Sequence, residues 1–222
     1  ELPSALLRAG GIASWPDMAP AQALTAKGRQ TREAIELAAR KLFAERGFHG
    51  TTLADITSSA GKSSAVFYRY FDDKEDLLAS LAESFLHDIV EPSGTRVRLP
   101  DSPPEDTEYF TTVVTGYWNL FKQNIGIMIA VAQLGATQPR FAKVQHEFRR
   151  FGMDMVAGSV RRARQQGYAQ DLADEHVAAA IALLFENFTV VVVGNPGSEL
   201  QISDQDAIKT LSTIWKRTLY GF

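Results

Sequence analysis

Between Thr51 and Leu78 the chain reads TTLADITSSAGKSSAVFYRYFDDKEDLL, which crowds Lys62, Ser63, Ser64, Ala65, Tyr68, Arg69, Tyr70 and Lys74 into one short span. Hydroxyls, a guanidinium and ammonium groups at this density suit one chemistry in particular. Serine hydroxyls bond to several base edges, an alanine methyl touches a thymine methyl, and tyrosine and lysine reach phosphate oxygens. If Val66 and Phe67 pack inward, Ser63, Ser64, Ala65, Tyr68 and Arg69 face outward. Lys74 falls in the first turn of the next helix, where free backbone amides and the positive dipole end favour a phosphate. The plain alternative is a helical hairpin in which Tyr70 is buried, Arg69 pairs with Asp72 or Asp73, and Thr52 caps without touching phosphate.

Short helices must hold that ridge. Ile35, Ala38, Ala39, Leu42 and Phe43 recur at helical spacing, and ERGFHG supplies a glycine stop after Arg46. Thr52 with Asp55 forms an acidic capping box for a second helix, Leu53 and Ile56 point inward, and Gly61 closes it. Ser63 or Ser64 caps a third helix, which Phe71 ends against the core. Asp72 with Glu75 reads as the next capping box, opening a long helix through Leu77, Leu78, Leu81, Phe85 and Ile89 to Pro92. Two short helices joined by a glycine turn form a helix-turn-helix when the second is free to enter a major groove.

Charge distribution agrees. Lys27 to Lys74 carry nine Lys/Arg against six Asp/Glu, a balance of +3, in a chain of net charge -3. The remainder is therefore -6, and the basic end is the N-terminal one. The chain has no cysteine, which excludes disulfides, thiolate catalysis and sulfur-ligated zinc. His49, His87, His146 and His176 are scattered without metal-ligand spacing. No nucleophile elbow, phosphate loop or dinucleotide fingerprint is present, so neither an enzyme nor a cofactor is expected. Neither IGIMIAVAQLGA nor FTVVVVG reaches the roughly 20 apolar residues of a membrane span, and the N-terminus lacks a signal-peptide pattern, so a cytoplasmic protein without membrane contact is expected.

Residues 1–26, rich in Ala, Pro and Gly, read as an arm or tail, from which Arg8, with Lys27 and Arg29 just beyond, could reach a minor groove. EPSGTRVRLPDSPPED reads as a loop. Beyond it the signals are helical: Tyr109 to Phe121, Ile125 to Ala136, Phe141 to Gln166, Val177 to Val193 and Ala207 to Leu219. The expected fold is all-α, with a tail over 1–26, a three-helix DNA-binding domain over 27–74 and a larger helical regulatory domain over 75–222. Tyr117, Trp118, Phe121, Met128, Phe151, Met155, Phe185 and Phe188, with His146, are the candidate walls and polar anchor of a mainly apolar ligand site. Asn119, Gln133, Glu186 and Asn187 are further polar candidates.

The run AARKLFAERGFHGTTLADITSSAGKSSAVFYRYFDDKEDLL resembles the DNA-binding domain of the tetracycline-repressor (TetR) family over about 50 residues, Thr31 to Leu81. The resemblance implies a homodimer that binds double-stranded operator DNA, with helix four as a lever and a divergent helical domain for a small-molecule effector. By motif position Thr52, Lys62, Ser63, Tyr68, Tyr70 and Lys74 would contact DNA, with Ser63, Ser64 and Ala65 nearest the bases. Ser64 and Ala65 stand where many members have Lys or Arg and Gly, so no relative's operator transfers to this chain. The last two helices would pair as a four-helix bundle through Ala179, Ala180, Leu183 and Val190 and through Leu211, Ile214, Trp215 and Leu219. The reading is a ligand-responsive repressor; a ligand-independent activator or architectural protein and a non-DNA helical adaptor are the rivals.

Overall fold

The computed structural model describes residues 25–90, 107–168, 171–194 and 200–221. The expected tail up to residue 24 and the loop expected over 91–106 lie outside the described residues. Eight helices make up the described residues: α1 Ala26–Arg46, α2 Leu53–Ser59, α3 Ser64–Phe67, α4 Lys74–Val90, α5 Thr107–Gly135, α6 Pro139–Gln165, α7 Asp174–Gly194 and α8 Asp204–Tyr220. No strand occurs among them, and FTVVVVG is helical, as its place in the α7 stripe predicts.

Local chemistry explains most of the ends. Thr25 caps α1 through its hydroxyl, which accepts from the Gly28 amide, so α1 begins inside the span read as tail. Ser203 caps α8 in the same way and Gly221 ends it in the left-handed region. At the start of α4 the box is one residue later than the spacing predicted: the Asp73 carboxylate accepts from the Asp76 amide at 2.7 Å, and Asp76 accepts from the Asp72 amide. α5 is one helix where the periodicity predicts two segments, Tyr109 to Phe121 and Ile125 to Ala136, because KQN at 122–124 contains no breaker.

Two apolar cores result. The first joins α1, α2 and α3 to Leu77, Leu78, Leu81 and Phe85 of α4, to Ile127, Met128, Ala130, Val131 and Leu134 of α5, and to Phe141, Val144 and Phe148 of α6. The second joins Tyr109, Phe110, Val113, Val114 and Trp118 of α5 to Val156 and Val160 of α6, Ile181 and Phe185 of α7, and Leu211, Trp215 and Leu219 of α8. α5, about 43 Å long at roughly 1.5 Å per residue, thus contributes one end to each core. Phe121 rests edge-on against Phe85 of α4 at 5.7 Å and stacks on Tyr117 at 4.3 Å, linking the two.

The seam between α4 and α6 carries charge. Arg140 reaches Asp76 at 3.2 Å, while Glu83, half-buried, faces Arg140, Asp76, Glu147 and Arg32. Burial pushes the Glu83 carboxyl above the usual range, with Asp76 and Glu147 adding to the push and Arg140 and Arg32 opposing it. A carboxyl whose folded pKa is raised contributes stability at low pH that is lost as pH rises through the folded value. Glu83→Gln is therefore expected to melt above the parent protein at pH 7.5, the gain shrinking as pH falls towards 5. Calorimetry at both pH values checks this, and a lower melting point for the variant at pH 7.5 would contradict it.

Candidate nucleic-acid interface and aromatic cluster

Backbone-level chemistry builds the ridge. The Thr52 hydroxyl accepts from the Asp55 amide at 3.1 Å and the Asp55 carboxylate accepts from the Thr52 amide at 2.9 Å, the reciprocal box the spacing predicted. The Thr52 side chain and backbone hold the Asp55 carboxyl below its ordinary range, with Arg46 at 3.5 Å also favouring the anion. Gly61 turns the chain at φ +64°, a region that favours glycine, and the Lys62 amide then bonds back to the Thr57 carbonyl at 2.9 Å. Ser63 caps α3 by accepting from the Val66 amide.

Phe67 is fully buried and lies 5.6 Å from the Phe71 ring, so α3 can turn only one face outward. Ser63, Ser64, Ala65, Tyr68 and Arg69 are exposed on it, Tyr68 by 59%. Thr52 is exposed and Lys62 half-exposed nearby. Tyr70 packs, partly buried, against the first core.

Lys74 does something its position did not foretell. Its ammonium donates to the carbonyls of Phe48 and Thr51, each at 2.7 Å, and lies 4.2 Å from the centre of the Phe48 ring. Desolvation depresses its pKa. The acids Asp72, Asp73, Glu75 and Asp76 crowd the same helix start, a poor surroundings for a phosphate. Lys74 ties α4 to the turn between α1 and α2.

The candidate ligand residues separate. Tyr117, Phe121, Phe185 and Phe188 come together: Tyr117 stands 5.3 Å from Phe185, and Phe188 lies 6.3 Å from Trp118. Met155 packs partly buried on the same core. Tyr117 donates or accepts a 3.0 Å hydrogen bond with Thr189, which is buried, and burial pushes the Tyr117 phenol well up, keeping it neutral. Thr189 was not singled out in the sequence, although it is the lone hydroxyl within the run FTVVVVG. Trp118 is fully buried, its indole donating to Asp204 at 3.0 Å, where Lys122 also arrives, so it pins α5 to α8. Met128 belongs to the first core, His146 stands on the solvent side of α6, and Phe151 is half-buried. Of the further polar candidates, Asn119 and Gln133 are exposed, Glu186 binds Arg149 in a fork at 2.9 and 3.0 Å, and Asn187 donates to the Leu183 carbonyl.

α7 is apolar on two sides. Val177, Ala178, Ile181, Phe185 and Thr189 face inward, while Ala180, Leu183, Leu184 and Val191 are exposed. Taken whole, α7 is long and apolar enough to cross a bilayer by length and composition, although the FTVVVVG run within it is too short by itself. On α8, Leu211, Trp215 and Leu219 are buried in the second core and leave only Ile214 of the expected bundle residues outside, a correction that follows from α8 having a single apolar stripe.

The comparisons fit this geometry. The family model for bacterial regulatory proteins of the tetR family matches residues 35–81, which contain α2, the turn and α3, and the model for the C-terminal domain of the transcriptional regulator EthR matches residues 110–221, half of the chain. The chain belongs to the TetR family. The HTH-type transcriptional regulator EthR of Mycobacterium tuberculosis H37Rv is 27% identical over 91% of this chain and 97% of its own. The transcriptional repressor KstR2 of Rhodococcus jostii is 39% identical over 32% of this chain and 34% of its own, within a stretch of 70 residues. A solved tetR-family regulatory protein from Rhodococcus RHA1 superposes with a TM-score of 0.64 at 19% identity, covering 85% of this chain and 96% of its own. As a TetR-family regulator the chain uses α2, the Gly61 turn and α3 as its DNA-binding helix-turn-helix, carried by a C-terminal helical domain.

Proposed function

We propose that this TetR-family regulator is a homodimeric repressor that a small, mainly apolar effector releases from its operator. The observation that carries the reading is α3: buried Phe67 and Phe71 force Ser63, Ser64, Ala65, Tyr68 and Arg69 into one exposed ridge. Ser64 and Ala65 read bases, and Thr52, Lys62, Tyr68 and Arg69 hold phosphates. Lys74 and Tyr70 support the ridge from behind. The effector enters beside Tyr117, Phe121, Phe185, Phe188 and Met155 and exchanges one polar group with the Tyr117–Thr189 pair. The α7 stripe pairs with its copy, which sets the two ridges on successive major grooves, roughly 34 Å apart. A relative named as a repressor, KstR2, supports the sign of regulation.

Fluorescence anisotropy on DNA selected from a random pool tests this. Selective binding that weakens steeply between low and physiological salt is expected, because phosphate contacts release counterions. Tyr68→Phe should weaken binding to every sequence, whereas Ser64→Ala should change which base is preferred at the position it faces. Binding that is indifferent to sequence and salt would sink the proposal.

A further inference from the structure

We infer that α1, seated on α5 by Arg40, Asn124 and Gly126, is the joint through which the regulatory helices steer the reading head. This rests on the DNA-binding reading and concerns the positioning of α3 rather than its contacts. The closest approach between α1 and α5 is at backbone level. A Cβ placed on Gly126 would lie 2.5 Å from the Ala44 nitrogen and 2.6 Å from the Phe43 carbonyl carbon, and neither can yield as a flexible side chain would. Two residues earlier, buried Asn124 donates its amide to the Leu120 carbonyl at 2.9 Å, which fixes its orientation and aims its oxygen at Arg40. Arg40 donates to that oxygen at 2.6 Å. The contact is therefore both tight and keyed by a specific hydrogen bond.

The connections through α4 are of another kind: Leu77, Leu78, Leu81 and Phe85 pack side chain to side chain in the first core, Phe85 meeting Phe121 and Phe148 ring to ring, and Arg140 pairs with Asp76 at 3.2 Å. Tyr117 lies nine residues before Gly126 on the same unbroken helix, about 14 Å at roughly 1.5 Å per residue. A tilt of α5 at Tyr117 thus reaches α1 along one unbroken helix, and α2 and α3 follow α1 through their shared core.

The absence of cysteine permits a direct test. Cysteines placed at exposed Ser59 and Thr112 carry two spin labels, and mixing with excess unlabelled chain isolates the distance within one protomer. Pulsed electron resonance should give a narrow distribution for the parent and a shifted or clearly broadened one for both Arg40→Met and Asn124→Leu, with circular dichroism retained. Distributions that superpose on the parent's in both variants would overturn the joint and leave α4 as the steering element. Gly126→Ala is a third variant, not required if it fails to fold. A second arm uses the selected operator with one base pair, roughly 3.4 Å, inserted between half-sites. The parent should lose roughly tenfold or more in affinity and the joint variants clearly less, because looser heads tolerate a changed spacing. Equal penalties for parent and variants would overturn the proposed use of the joint. A parent that binds no selected DNA would defeat the functional reading, while the distance arm still decides the joint.

Discussion

Phe67→Ala is expected to remove operator binding, lowering affinity by more than about 100-fold, while far-UV circular dichroism changes little. Phe67 is the fully buried last residue of a helix of only four, held besides by the Ser63 cap and the Phe71 ring. Truncating a buried phenylalanine costs about 3–5 kcal/mol. A single turn has no helical length over which to spread that loss, since isolated helices of this size are unstable in water. The melting falls on α3 itself, so Ser64, Ala65 and Tyr68 lose their common face. Amide exchange would show Phe67 to Tyr70 unprotected, and anisotropy would show the affinity loss. Binding within threefold of the parent would mean that α3 is not the reading element.

Leu183→Glu combined with Val191→Glu is expected to convert the proposed dimer to a folded monomer. Both residues are exposed on the α7 face opposite Ile181 and Phe185, so the second core keeps its side chains. Across a self-pairing interface each substitution would bring carboxylates together in an apolar setting, at a cost of several kcal/mol. Losing the dimer removes the effective concentration, of order millimolar, that one bound head lends the other. Operator affinity should fall by about two to three orders of magnitude, with binding to a lone half-site nearly unchanged. Sedimentation velocity at micromolar concentration reads the first effect and anisotropy the second. A double variant that still sediments as a dimer would place the interface elsewhere.

The reading head was legible because its signals are local. Thr52 with Asp55, Gly61, Ser63 and the inward Phe67 each act within a few residues, and the structure realises all four. Lys74 was not legible, since its partners Phe48 and Thr51 stand 26 and 23 positions away and carbonyls carry no residue-type signature. Helical periodicity found the apolar residues of the C-terminal part but could not say which face meets which neighbour. Met128 and Trp118 lie on one helix yet enter different cores. α8 has one apolar stripe and must spend it inward, whereas α7, apolar nearly all round, has a second to offer a partner. Of the site around Tyr117, the aromatics were visible and the Thr189 bond, spanning 72 positions, was not.

Because α5 feeds its two ends into separate cores, the described helices do not fall into two units with a cut between them at residue 74. A fragment ending at residue 74 would forfeit Leu77, Leu78 and Phe85 together with Ile127, Val131 and Phe141, leaving Phe43 and Phe67 with little beyond Phe48 and Phe71 to pack on. The head is therefore expected to be unstable when excised and grafted alone, because most of its packing partners lie beyond residue 74.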